Sequence, residues 1–356
     1  MFLRSLPGSP GLHDMGPTDV CRFLVWYDSK GKTQIHCQVC PNVGKHGIFS
    51  CGCPKGIAAT TLSVLVCTLT NILEFAGRGK YWDEYSNTGN PVLSSCVREY
   101  MKSVKVEQAK ARILPKQSKP LFIRKIRLIV SYIYTKLRNG DTFLSLREKF
   151  TLVRDQALIK LQFFADDRAS DMSNLLVQDL KRLPDGTGYA ICHTFGKSLR
   201  GGDGKNNGFV IKRCSEGRVC PVEGVELYIN KCKEWGVDLT AGYLFRPVTE
   251  NGVVLTEALS YSAIYERLKL YLQLCGIDEG ETPHSLRAGC AVTLATLGVV
   301  DRTQLKGHMG WASDNMVDYY SRATRLYDSD VVASALASSV TSDQAEKGYA
   351  QLGDLS

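Results

Sequence analysis

The segment LPKQSKP, residues 114–120, constrains this chain more than any other stretch. Proline has no backbone donor, and it forces the residue before it out of the helical region. Neither a helix nor a strand therefore runs through both Pro115 and Pro120. What lies on either side is expected to fold around its own core, with this segment as the linker. A length of 356 residues agrees with about two domains. With 44% apolar and 22% charged residues, both sides can build ordinary cores.

Charge gathers around the same linker. Residues 98–138 hold twelve Lys or Arg against two Glu, a net +10 in a chain whose total is +8. Residues 327–356 carry five acids and one Lys. A basic centre with an acidic tail suits a polyanion such as DNA or RNA, although charge runs also serve only for solvation.

The helical pattern dominates. Residues 1–18 are rich in Pro, Gly and Ser and are expected to be disordered; they contain no apolar stretch of the kind that begins a secretory signal. Residues 19–55 alternate in short segments such as CRFLVWY and form a small Cys-rich part. A helix over 57–76 is expected from Leu62, Leu65, Val66, Leu69, Ile72 and Leu73, stopped at Gly77. The uncharged run 56–73 is too polar and slightly too short to span a bilayer, so a buried amphipathic helix is expected there. Further helices are expected over 91–113, 121–137, 142–161 and 172–180. YAICHTF and GFVIKRC read as two strands joined by the glycine-rich GKSLRGGDGKNN. The pattern is helical again from residue 222.

Thirteen Cys, an odd number in a chain this long, point to reduced thiols rather than disulfide staples. Cys37, Cys40, Cys51 and Cys53 have spacing that permits a tetrahedral zinc site, with His36 and His46 nearby, but C-x-C is a tight pair and ordinary thiols fit as well.

The stretch ETPHSLRAGCAVTLATLGVVDRTQLKGHMGWASDNMVDYYSR carries the most chemistry. Thr282 and Pro283 start a helix, a hydroxyl cap followed by Pro at its first position. His284 and Arg287 then share one face of the first turn, where free N–H groups and the helix dipole favour a phosphate. A helix around 303–306 follows, and Ser313 can cap a last one carrying Tyr319 and Tyr320. Taken singly, each piece has a structural explanation: a cap and a surface arginine, a core tryptophan, a tyrosine packed on a helix.

Taken in order, the pieces resemble the tyrosine recombinase (phage integrase) family. H-x-x-R is followed by Trp311 and, nine residues later, by Tyr320. Upstream, FFADDRASDMSNLL supplies Arg168 with Asp171, and FGKSLRG supplies Lys197 between the two strands. The resemblance covers about 121–325, and the DDRASD, CGCP and YYSR contexts look like its eukaryotic crypton-type branch, from DNA transposons. It implies a fold that is mainly α with a small antiparallel sheet: a helical core-binding domain at 56–113, the linker 114–120, a catalytic domain at 121–326 and a tail at 327–356. It departs from the family where Asp166 and Asp167 replace the usual Gly before the first Arg, where Asp171 replaces the commoner Glu, and at Trp311, where many members have His.

The resemblance implies strand transfer on double-stranded DNA without ATP. Tyr320, favoured over Tyr319 by its spacing from Trp311, attacks a backbone phosphate and forms a 3′-phosphotyrosyl bond. Arg168 and Arg287 offer charged forks to the nonbridging oxygens. Lys197, favoured over Lys205, protonates the leaving oxygen; His284 relays a proton, and Trp311 donates a hydrogen bond. Asp171 and His308 support this set. No catalytic metal is implied, since two Arg and a Lys supply the charge. Lys116, Lys119, Arg124, Lys125 and Arg127 are expected to meet phosphates. The tail is expected to dock on a neighbouring protomer in a tetramer on DNA, and the expected location is the nucleus, or the cytoplasm of a cell without one. Two other readings stay open, a non-catalytic DNA-binding protein and a type IB topoisomerase.

Overall fold

A computed structural model describes residues 11–45, 47, 49–113, 118–140, 143–193, 207–297 and 301–309, with 314, 315, 317, 318 and 344. The chain divides into two compact units, 1–117 and 118–356.

Unit 1 contains α1 (Pro17–Asp28), the pair β1 (Thr33–Gln34) and β2 (Lys55–Gly56), and α2 (Ala59–Leu73). The hairpin β3 (Trp82–Asp83) and β4 (Thr88–Gly89) follows, then α3 (Ser95–Lys110). The segment CRFLVWY, expected to alternate like a strand, is helical: Pro17 opens α1, and Val20 and Leu24 bury against Leu73, Val92 and Val97. The expected boundary near residue 55 therefore falls inside one core. Where α2 lacks a side-chain cap, Gln108 of α3 serves instead, accepting from Ala59 N at 2.8 Å and donating to Ile57 O at 2.7 Å. The expectation that α2 is buried is corrected. The stretch Ala59–Arg78 is long and apolar enough to cross a membrane, yet only one face packs, through Leu62 and Leu73, while Val64, Ile72 and Phe75 are exposed.

Unit 2 has the expected composition, mainly helix with one small antiparallel sheet. Its helices are α4 (Ile123–Asn139), α5 (Leu146–Phe164), α6 (Ala169–Ser173), α7 (Pro221–Glu234), α8 (Tyr261–Leu274), α9 (Pro283–Leu297) and α10 (Arg302–Met309). The sheet runs β5 (Leu180–Arg182), β6 (Gly188–His193) and β7 (Asn207–Lys212), all antiparallel. The two expected strands are β6 and β7, paired from Gly188 opposite Lys212 to His193 opposite Asn207. The helix expected over 172–180 is instead the one-turn α6, a 3-10 turn at Val177–Asp179 and the unforeseen β5, which pairs Lys181 with Ala190.

Helix α5 is the axis of unit 2. It starts from a capping box, Ser145 accepting from Glu148 N and Glu148 reaching back to Ser145 N. From Leu152 to Phe163 every residue is buried, polar ones included. Asp155 accepts from Arg154, from Arg267 at 2.7 Å and from Tyr271 at 2.7 Å, the last two on α8. Gln156 donates to Gly224 O of α7 at 2.9 Å.

Lys160 is fully buried, with Tyr134 Oη 3.2 Å from its Nζ. Burial pushes its ammonium from the ordinary 10.5 down to about 8. The unfolded chain keeps the ordinary value and so binds the proton more tightly, which makes stability rise with pH between about 8 and 10.5. Replacing Lys160 with Met should remove that rise and stabilise unit 2 at pH 7 by about 1–3 kcal/mol. Urea unfolding of both proteins at pH 7, 8.5 and 10 measures this; parallel pH profiles would show that Lys160 is solvated.

Candidate active site

Three of the expected residues converge where α5 ends and α9 begins. Helix α5 closes at Ala165 in a Schellman cap, with Asp166 N on Phe163 O at 3.4 Å and Asp167 N on Gln162 O at 3.3 Å. Asp166 holds φ +53°, the left-handed conformation that glycine usually supplies at this place. Arg168 then caps α6, and its Nη1 lies 3.3 Å from Asp171 Oδ2 in the first turn.

Opposite, α9 opens at Pro283 as expected, but by a different contact: Ser285 Oγ accepts from Thr282 N at 2.9 Å. Two features pin this turn. Gln162 of α5 donates to Pro283 O at 3.0 Å, and Leu121 N donates to Ser285 O at 2.8 Å. Gly289 permits the approach, since a Cβ there would stand 2.0 Å from Leu121 O.

Arg287 is 4% exposed. Its Nη1 donates to Asp166 O at 2.6 Å, and its Nη2 lies 3.3 Å from Asp166 Oδ2. Asp166 is 1% exposed, and neither carboxylate oxygen accepts a hydrogen bond among the described residues. Burial above all drives its carboxyl well above the ordinary range, against the pull of Arg287. His284 reaches the surface. The protein packed around its ring, then the charges of Arg287 and Arg168, lower its pKa below the ordinary 6.5. His284 stands in the first turn of α9, three residues before Arg287.

His308 of α10 lies on the other side of the same cap, its Nε2 3.1 Å from Phe164 O and its ring edge-on to Phe209. Val317 packs with Ala288, Ala291 and Leu305, against α9 and α10. Lys197, Trp311 and Tyr320, with the alternatives Lys205 and Tyr319, lie outside the described residues, as do Lys116 and the acidic tail apart from residue 344.

Of the expected phosphate contacts, three are engaged by acids. Lys125 pairs with Glu279 and Glu281, Lys119 with Glu279 at 2.9 Å, and Arg127 with both oxygens of Glu216 at 2.7 and 2.6 Å. Lys125 is thereby a strut between α4 and the turn before α9. Arg124 is exposed on α4. In unit 1, a groove of about 830 Å³ between α2, the β3–β4 hairpin and α3 is rimmed by Lys80, Arg98, Lys102 and Lys105.

The cysteine expectation needs one correction. His36, Cys40, Cys51 and Cys53 bring their ligand atoms within 4.8 Å of one another, whereas Cys37 is exposed and outside the group. His36 Nδ1 lies 3.5 Å from Cys40 Sγ and 3.3 Å from Cys51 Sγ, and its buried Nε2 has no hydrogen-bond partner among the described residues. One imidazole and three thiols at these separations fit a tetrahedral zinc ion. The β1–β2 pairing selects the set, because Gln34, two residues before His36, ties itself to Phe49 and Cys51.

Comparison with known proteins finds two kinds of similarity. The ALOG domain family matches residues 1–106, within unit 1. The Integrase/recombinase xerD homolog of Selenomonas ruminantium is 24% identical over 244 residues, 68% of this chain and 64% of that protein. Protein LIGHT-DEPENDENT SHORT HYPOCOTYLS 5 of Arabidopsis thaliana is 36% identical over 119 residues, 33% of this chain and 62% of that protein. The chain thus spans less than two thirds of either relative's length. Among solved structures, the XerH site-specific recombinase bound to difH substrate, a pre-cleavage complex, matches with a TM-score of 0.50 at 16% identity, over 90% of this chain and 71% of that one. The fold is that of the tyrosine recombinases.

The electrostatic coupling within the site is open to measurement. The His284 ring should titrate below the ordinary 6.5 by NMR, and Arg168→Gln should raise its pKa, since a positive neighbour is removed. An unchanged titration would separate Arg168 from His284.

Proposed function

We propose that this chain is a site-specific DNA recombinase that joins strands through a tyrosine-linked intermediate. One observation carries the reading: Arg287 of α9 is bonded to Asp166, two residues before Arg168, and His284 lies one turn ahead of Arg287, in the order that leads to Trp311 and Tyr320. Two guanidinium groups beside an imidazole suit a phosphodiester whose transition state gathers charge on its nonbridging oxygens. Tyr320 Oη attacks phosphorus, the bond to the 5′-oxygen breaks, and Lys197 gives that oxygen its proton. The 5′-hydroxyl of a second strand then attacks the phosphotyrosine and releases Tyr320, so the number of phosphodiesters is unchanged. His284, with its lowered pKa, is neutral near pH 7 and able to accept or pass a proton.

The partner in this reading is double-stranded DNA, bound as a tetramer across two synapsed sites with the tail docked between protomers. The xerD homolog and the DNA-bound XerH structure are in keeping with it. The lineage proposed is the crypton-type transposon branch, acting in the nucleus. Arg98, Lys102 and Lys105 join Arg124 as candidates for backbone contacts, with Lys119, Lys125 and Arg127 reaching phosphates only by exchange with their acids.

Incubation with a nicked suicide substrate should trap an SDS-resistant adduct that Tyr320→Phe abolishes and Tyr319→Phe retains. An adduct surviving in Tyr320→Phe would sink the assignment. The basic rim of the unit 1 groove favours one other reading, a DNA-binding protein without strand transfer, which predicts binding to duplex DNA and no adduct at all.

In unit 1 the proposed metal is a structural zinc ion on His36, Cys40, Cys51 and Cys53. Such an ion contributes folding energy rather than chemistry. Elemental analysis should find about one zinc per chain in the wild type and in Cys37→Ser, and a loss of it in Cys53→Ser and His36→Ala. Equal loss in Cys37→Ser would restore the set expected from the spacing.

A further inference from the structure

We propose that Asp166 is a positioning residue for Arg287, holding the guanidinium in place while the site lacks a phosphate and giving up its hold on Nη2 when one arrives. Two local costs at this position ask for a compensating role. The C′ place of the α5 cap holds φ +53°, a conformation that strains an ordinary side chain and suits glycine. The carboxylate is buried without a hydrogen bond, a further expense for any acid. Neither cost is needed to make the turn.

Both find their reason in Arg287. The backbone carbonyl of Asp166 takes Nη1 at 2.6 Å, so the left-handed turn is what aims that oxygen at α9. The carboxylate stands 3.3 Å from Nη2 and supplies a counter-charge to a guanidinium that is itself buried. A glycine would preserve the first contact and lose the second. The residue is therefore a placeholder for the anion, built into the cap.

An entering phosphate competes with this carboxylate for one guanidinium. Relief comes when Asp166 takes a proton from solvent. The groups facing it are Arg287 and Cys290 on α9, and Asp167 and Arg168 on its own turn. Anion binding should accordingly weaken as pH rises, and it should do so less in Asp166→Asn, which tolerates the same backbone conformation and carries no charge. The contribution of His284 is common to both proteins and cancels in the comparison.

This inference rests on the recombinase reading only for the identity of the anion. Its test uses the full chain and inorganic sulfate, a phosphate mimic that does not titrate between pH 5.5 and 7.5. Binding is followed by the NMR signal of the Arg287 Nε–H. The expected result is that Asp166→Asn binds sulfate roughly tenfold tighter than wild type at pH 7.5, equivalent to about one pKa unit of relieved competition, with a flatter pH profile. In selectively labelled wild type, the Asp166 carboxyl carbon should shift toward its protonated position as sulfate is added, a reading that needs no variant to fold. In Asp166→Gly, melting temperature should fall without sulfate and recover at saturation. Matching affinities and pH profiles, or a carboxyl carbon indifferent to sulfate, would overturn the proposal. A missing tyrosine adduct with these shifts intact would instead count against the recombinase reading alone.

Discussion

Everything in unit 2 hangs on a helix with no outside. From Leu152 to Phe163, α5 is buried on every face, yet it carries Arg154, Asp155, Gln156, Lys160 and Gln162. A helix buried all round is ordinarily apolar all round. Here each polar side chain instead becomes a tie to a different neighbour: Arg154 to Arg246 O, Asp155 to α8, Gln156 to α7, Lys160 to α4 and Gln162 to α9. Burial alone would raise the Asp155 pKa, but Arg154 and Arg267 hold it below the ordinary carboxylate range, so the network stays ionised at neutral pH. Breaking one partner of such a network costs far more than the pair adds, which makes the arrangement specific rather than merely strong.

The end of that helix is the floor of the site. Its last carbonyls point toward the site, and cationic or donor groups from three elements take them or the turn beyond: Arg287 takes Asp166 O, Gln162 takes Asp167 O at 3.4 Å, and His308 meets Phe164 O. A helix C-terminus is the negative pole of its dipole, so it favours a guanidinium there. The N-terminus of α9, the positive pole, lies a few residues from the same guanidinium. Arg287 is thus held between a pole that attracts it and a turn suited to an anion, and it is oriented before any ligand arrives. Preorganised charge of this kind is what stabilises a charged transition state without reorganisation at the moment of reaction.

Legibility in the sequence followed the range of the physics. Period-3.6 burial marked α4 through Ile126, Ile129, Val130 and Ile133, and the strand pair β6–β7 stood out by its apolar runs around a glycine-rich turn. H-x-x-R after Thr-Pro marked the opening of α9 because caps and first-turn residues are local. The rest depended on partners far along the chain. β5 reads LKR, with nothing to announce a strand until β6 pairs with it. Lys125 meets Glu281 and Arg127 meets Glu216, 156 and 89 residues away, so charges that read as a phosphate-binding face are partly internal struts. His36 displaces Cys37 from the thiol cluster because the β1–β2 register decides which neighbour points inward. Asp166 left one signal, an acid where a turn wants glycine.

The two units differ in what they hold, and the ALOG match falls within the first of them. Arg168, His284, Arg287 and Asp166 all belong to unit 2, while unit 1 has its own core from Val20, Leu24, Leu62, Leu73 and Val97 and its own four-donor cluster. The ALOG match ends at residue 106, inside α3 and before the linker prolines. A unit with a complete core can be carried from protein to protein without the chemistry beside it. Resemblance over unit 1 therefore speaks for that fold alone, and resemblance to recombinases bears on the reaction only through the side chains at the end of α5. The chemistry open to unit 2 is set by those few residues, not by the unit that precedes them.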